Sequence, residues 1–136
     1  MKKVWIHSPK NTKVQPTAGE KTRTEITCMM FIEMRLKDKW LKPFDPKNKK
    51  EMQLVDIILK WHGNYLYLIA KYRDLRPNVI SGQFEDKVAR LEFISPDHFL
   101  LSYLRHTGQW FELTYGNAIS LKVCLENILE LPHFAM

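Results

Sequence analysis

Two runs rich in β-branched and aromatic residues, Leu54 to Trp61 and Tyr65 to Arg73, flank Gly63-Asn64, and this arrangement constrains the fold more than any other feature of the chain. A two-residue connection of this kind between such runs marks a tight β-hairpin, because residues that tolerate positive φ match the twist of the flanking strands. The turn also sets the register. Counting outward, Trp61 pairs with Leu66, Leu59 with Leu68, Ile57 with Ala70 and Val55 with Tyr72, which makes one apolar face. Lys60 with Tyr67 and Asp56 with Lys71 form the other face, the second pair being of opposite charge.

The same counting extends to the second half of the chain. Phe84 to Ser95 reads as a third strand, Pro96-Asp97 as its turn, and Phe99 to His106 as the return. Thr107-Gly108 turns again into a fifth strand, Gln109 to Tyr115, before Gly116-Asn117 breaks the pattern. If both turns have two residues, Phe93 faces Leu100, Leu91 faces Ser102, Ala89 and Phe111 face Leu104, and Ser102 faces Leu113. That face is apolar. The opposite face then carries Arg90, Glu92, Leu101, Tyr103, Arg105, Trp110, Glu112 and Thr114, with Arg105 directly across from Trp110. A three-residue turn at Pro96-Asp97-His98 would set Leu91 and Phe93 with Tyr103 and mix Arg105 into the core face, so the two-residue reading is the expected one.

Helical patterns bracket the strands. Thr22 with Glu25 three residues on forms a capping-box pattern, opening a helix to about Trp40 in which Cys28, Met29, Phe31, Ile32, Leu36 and Trp40 recur at helical spacing. A stripe of this kind is core rather than a cofactor box. Pro43 and Pro46 follow it. Near the other end, Ser120 caps a helix with Leu121, Cys124, Leu125, Ile128 and Leu129 on one stripe, stopped by Pro132. Residues 1–21, with Pro9, Pro16 and Gly19, read as an extended or disordered basic arm on which Trp5 and Ile6 dock to the body. The expectation is an α+β fold: one domain over residues 22–136, with an antiparallel sheet of about five strands in hairpins and an N-terminal and a C-terminal helix packed on one face.

Composition bounds the function. A chain of 136 residues with 45% hydrophobic content builds its own core without metal or disulfide staples. Two cysteines are too few for a disulfide framework and read as small buried hydrophobes, consistent with a reducing cytoplasm. No run approaches the ~20 apolar residues of a membrane span, and the apolar stretch after Lys2-Lys3 is too short for a signal peptide. The five histidines show no zinc spacing, and no phosphate loop or nucleophile elbow occurs, so no catalytic residue, metal or cofactor is called.

The charged sheet face is the candidate site. Arg90, Glu92, Tyr103, Arg105, Trp110 and Glu112 combine planar cations that donate paired hydrogen bonds to an anion with rings that stack a planar group. The leading reading is a small cytoplasmic binding or accessory protein that recognises an anionic small molecule or an acidic protein partner. A second reading follows from the net charge of +6: nucleic-acid binding by the arm and the loop carrying Lys42, Lys47, Lys49 and Lys50. A third is an enzyme acting on an anionic small molecule, but the expected register turns His106 away from Glu92 and Glu112, which weakens it.

Several stretches carry a resemblance over nearly the whole length. They are Trp5-Ile6-His7-Ser8-Pro9-Lys10, Val55-Asp56-Ile57, Ala70-Lys71-Tyr72-Arg73, Pro77-Asn78, Phe84 to Glu92, Leu101 to Trp110, and Ser120-Leu121 through Cys124-Leu125. In these the chain resembles a family of short, uncharacterised bacterial proteins. The resemblance implies a single compact domain and assigns no activity.

Overall fold

The computed structural model describes residues 14–41, 52–74 and 82–136. Helix α1 (Ala18–Phe31) runs through a π-turn, Ile32–Leu36, into α2 (Lys37–Trp40). Strands β1 (Met52–His62), β2 (Tyr65–Asp74), β3 (Gln83–Ser95), β4 (His98–Leu104) and β5 (Trp110–Glu112) form an antiparallel sheet in chain order, and β6 (Ile119–Ser120) pairs with β4. Helix α3 (Leu121–Glu130) and a 3₁₀ turn, Pro132–Phe134, close the chain. The α+β class and its two helices agree with the sequence reading. Most of residues 1–21, the Lys42–Lys50 loop and Pro77-Asn78 lie outside the described residues.

Helix α1 starts earlier than expected. The capping box is Thr17 with Glu20, whose side chains each accept from the other's backbone N–H, at 3.1 and 2.9 Å. Thr22, expected to cap, instead donates its hydroxyl to the Ala18 carbonyl inside the helix. Both segments read T-x-x-E, and the earlier one prevails, setting residues 18–21 in the helix rather than in an arm. The buried stripe is Thr24, Cys28, Ile32 and Leu36, each four residues on. Met29, expected in it, is 56% exposed. The π-turn lets Ile32 and Leu36 stay in line with Cys28.

Helices and sheet share one core. Cys28, Ile32 and Leu36 from the first helical segment and Leu121, Cys124, Leu125, Ile128 and Leu129 from α3 pack on Leu66, Leu68, Ala89, Leu91, Phe93, Phe99 and Leu101. Lys37 bridges Glu33 and Asp56 at 2.5 and 3.1 Å, tying the helical segment to β1. Lys39 donates to the Leu129 carbonyl at 2.5 Å, joining α2 to the last turn of α3.

The β1–β2 hairpin keeps the register set by Gly63-Asn64 from Trp61↔Leu66 to Asp56↔Lys71. Beyond that a bulge at Val55 puts Leu54, not Val55, opposite Tyr72. The next two hairpins each depart by one residue. Pro96-Asp97 is a two-residue turn, Ser95 pairing with His98, but Ile94 bulges and Phe93 then pairs with Phe99, Leu91 with Leu101 and Ala89 with Tyr103. Proline at the first turn position bars positive φ there, so the twist-matched hairpin turns are unavailable; Asp97 takes φ 60° and the bulge absorbs the mismatch. At the next turn Arg105 N–H donates to Gln109 O and Gly108 N–H to Arg105 O, with Gly108 at φ 85°. That is a three-residue loop, His106-Thr107-Gly108, and it sets Trp110 opposite Leu104 rather than Arg105.

Candidate sheet-face binding site

The two one-residue departures cancel between β3 and β5 and invert β4 alone. Arg90 and Glu92 therefore still share a face with Trp110 and Glu112, joined by Ser102 and Leu104 of β4. Tyr103 and Arg105 stand on the opposite, helix-covered side. Tyr103 packs against His133, Phe111 and Phe134 with ring centroids 4.6, 5.7 and 6.3 Å away. The exposed Arg105 lies over Phe111 at 5.5 Å. Four of the six site residues read from the sequence are thus brought to one face, and two are not.

Strand β2 completes that face. Lys60, Tyr67, Arg90, Ser102 and Glu112 form one row across five strands, each opposite the next. Tyr65 pairs with Glu92 in the adjoining row. At the centre, the Arg90 guanidinium carbon lies 4.7 Å from the Tyr65 ring centroid and 4.8 Å from that of Trp110. Tyr67 sits 6.2 Å from Tyr65 and 5.7 Å from Trp110, and Lys87 lies over Tyr67 at 4.9 Å. Cation–ring contacts of this kind contribute roughly 0.5–2 kcal/mol each, more as water is excluded.

Arg90 is half-buried, and its Nε is a buried donor without a hydrogen-bond partner. An unpaired buried donor is costly. Beneath this layer, Ser102 is buried at 4% and Ile69 at 4%, the latter outside the main core. Glu112 is held at the end of the row: its carboxylate accepts from the Thr114 hydroxyl at 3.2 Å and from the Gly116 backbone N–H.

Tyr65, Tyr67 and Lys87 were not among the residues the sequence singled out. The Gly63-Asn64 turn already paired Lys60 with Tyr67, but joining Tyr67 to Arg90 needs the β2–β3 register. Residues 75–81 between the two strands lie outside the described residues, and a further bulge at Val88 shifts the register.

Other reactive groups are poorly placed for chemistry. Cys28 and Cys124 are free and fully buried, and burial pushes both thiols up to about 12, so neither is a thiolate nucleophile near neutral pH. His62, His98, His106 and His133 are all exposed. Among the described residues no group of three His, Cys, Asp or Glu is positioned to hold a metal ion, and no helix is long and apolar enough to cross a membrane. A groove of about 460 Å³ between α1 and α3 is lined by Met30, Phe31, Met34 and Leu125. Thr27, Arg35, Lys122 and Glu126 line it as well.

A family model described as a domain of unknown function, DUF3024, matches residues 18–135, from the first residue of α1 to the end of the chain's last turn, and the protein belongs to that family. No curated protein and no solved structure matches the chain.

Proposed function

Since family membership brings no activity with it, we propose from the sheet face itself that this is a small cytoplasmic, bacterial binding protein whose Arg90-centred face recognises an anionic ligand or partner. The observation that carries the reading is the guanidinium of Arg90 held against Tyr65 and Trp110 with its Nε buried and unpaired. Rings on this scale restrict the side chain before any ligand arrives, so less rotamer freedom is lost on binding. Guanidinium is weakly hydrated and offers a planar fork to a carboxylate or phosphate. The neighbouring rings favour an anion attached to a planar group. Exposed histidines and protonated thiols favour binding over chemistry.

The test is a thermal-shift titration with anions carrying planar groups, nucleoside monophosphates and aromatic carboxylates among them. Binding to the native state at a hundredfold excess over Kd adds about 2.7 kcal/mol and raises the melting temperature. We expect a shift in the wild type that Arg90→Met abolishes. A panel that leaves the wild type unmoved, or a shift that survives Arg90→Met, removes the proposal.

A further inference from the structure

Resting on that reading of the face, we infer that its ligand is single-stranded nucleic acid, with bases laid against Tyr67 and Trp110 and phosphates held by Lys60, Lys87 and Arg90. Three rings run along β2 from Tyr65 to Tyr67 and then across to Trp110 of β5, at 6.2 and 5.7 Å. They are tilted by 43° and 52° rather than stacked on one another, and each carries a cation on one face, Arg90 on Tyr65 and Trp110 and Lys87 on Tyr67, so a base would share its ring with that cation. Such a series is wider than one small planar ligand. It is suited to successive unstacked bases, which offer a π-face at every nucleotide.

The charge follows the same path. Lys60 and Lys87 are exposed and border Tyr67, one by register and one above its ring. Arg73 is exposed on the same side of β2 by strand alternation. Of the carboxylates on this face, Asp56 pairs with Lys37 at 3.1 Å and Glu85 with Lys71 at 3.9 Å, while Glu112, hydrogen-bonded to Thr114 and Gly116, keeps its negative charge at the β5 end of the row. Glu92, beside Tyr65, also has a partner of its own. The whole chain carries a net charge of +6. A duplex keeps its bases stacked inside and would leave the rings idle. An acidic peptide would supply charge without a planar ring at each repeat.

The experiment uses the full chain and fluorescein-labelled octamers: rU8, dT8, an abasic phosphodeoxyribose octamer and a hairpin duplex, with unlabelled uridine monophosphate as the monomer. Anisotropy is expected to show rU8 or dT8 binding at least about tenfold tighter than the abasic strand or the duplex. Tyr67→Leu and Trp110→Leu should each weaken it about tenfold, while Tyr67→Phe retains it. Three neutralised phosphates give a log–log salt slope of about −2. Lys122→Gln, on the exposed side of α3, is the control and should leave binding unchanged. In the wild type, base contact should shift the Trp110 indole N–H resonance, a readout that does not depend on any variant folding.

Equal binding of the abasic strand or the duplex overturns the inference, as does wild-type affinity in both ring variants. If uridine monophosphate binds through Arg90 but the octamers bind no tighter, the strand inference fails and the anion-binding reading stands. If neither binds and no other anion shifts the melting temperature, both fail.

Discussion

The hairpin at Gly63-Asn64 and the two hairpins that flank β4 are built from the same kinds of residue, yet only the first follows its turn. In β1–β2 the pairs from Trp61↔Leu66 to Asp56↔Lys71 fall where a two-residue turn puts them. Around β4, a bulge at Ile94 and a three-residue loop at His106-Thr107-Gly108 each move the register by one. A one-residue move exchanges the faces of a strand. The difference lies in what each turn allows. Gly63 takes φ 62° freely, whereas Pro96 forbids the matching turn and Gly108 takes φ 85° at the third loop position. Turn residues fix a face only when their backbone fits the twist of the strands they join.

The strongest way to break this contrast is to compare neighbours on β4. Leu101 is fully buried in the helix-side core, and Leu100 is half-buried on the other face. Leu101→Ala should lower unfolding free energy by about 2–5 kcal/mol in urea, and Leu100→Ala by about 1 kcal/mol or less. The reverse order would restore the register without the Ile94 bulge, in which Phe93 faces Leu100. A smaller effect sharpens the turns themselves. A Cβ at Gly63 or Gly108 meets no atom within 4 Å, so Gly63→Ala and Gly108→Ala report backbone strain alone, at about 1–2 kcal/mol each. Loss at Gly63 but not at Gly108 would mean the three-residue loop does not need its left-handed residue.

Next comes the helix start. Thr17→Ala removes the capping box and should cost about 1 kcal/mol, while Thr22→Ala should cost less. The smallest effect concerns Asp56, the last regular pair before the Val55 bulge. Burial raises its carboxyl, but the Lys37 hydrogen bond, the Ile57 amide and the charges of Lys37 and Lys71 outweigh that and hold it below the ordinary value. A depressed carboxyl contributes stability above its unfolded pKa of about 3.9 and loses it as pH falls through the lower folded value. With both partners partly exposed, Asp56→Asn should cost under about 1 kcal/mol at pH 7, and the difference should shrink as pH falls below about 3.9 in pH-dependent denaturation. A constant difference across that range would mean that the Asp56 charge does not tie the helical segment to the sheet.

Architecture was more legible than the site. Alternation, turns and caps sufficed for the two-helix, antiparallel frame because each is a local signal. The site needed the relative registers of four strands, which local signals do not carry. Arg90, Glu92, Trp110 and Glu112 reached a common face because the two departures on either side of β4 cancel; Tyr103 and Arg105, on β4 or at its end, had no such compensation. Tyr65 and Tyr67 were hidden because eight residues separate β2 from β3, too many to count a register across, and because Val88 bulges. The Met29 position was misplaced because a π-turn follows it and the stripe proceeds by fours from Thr24 to Leu36.

The bulges at Val55, Val88 and Ile94 make the sheet unequally tolerant of changes in chain length. Deleting one residue within a regularly paired strand would turn every following side chain over and expose the core. Deleting Val55 or Ile94 would regularise the ladder and keep the faces of the neighbouring residues, whereas deleting Val88 would regularise it but remove a side chain from the core. A one-residue deletion compatible with this fold therefore has places inside β1 and β3, at Val55 and Ile94, and not only in the loops.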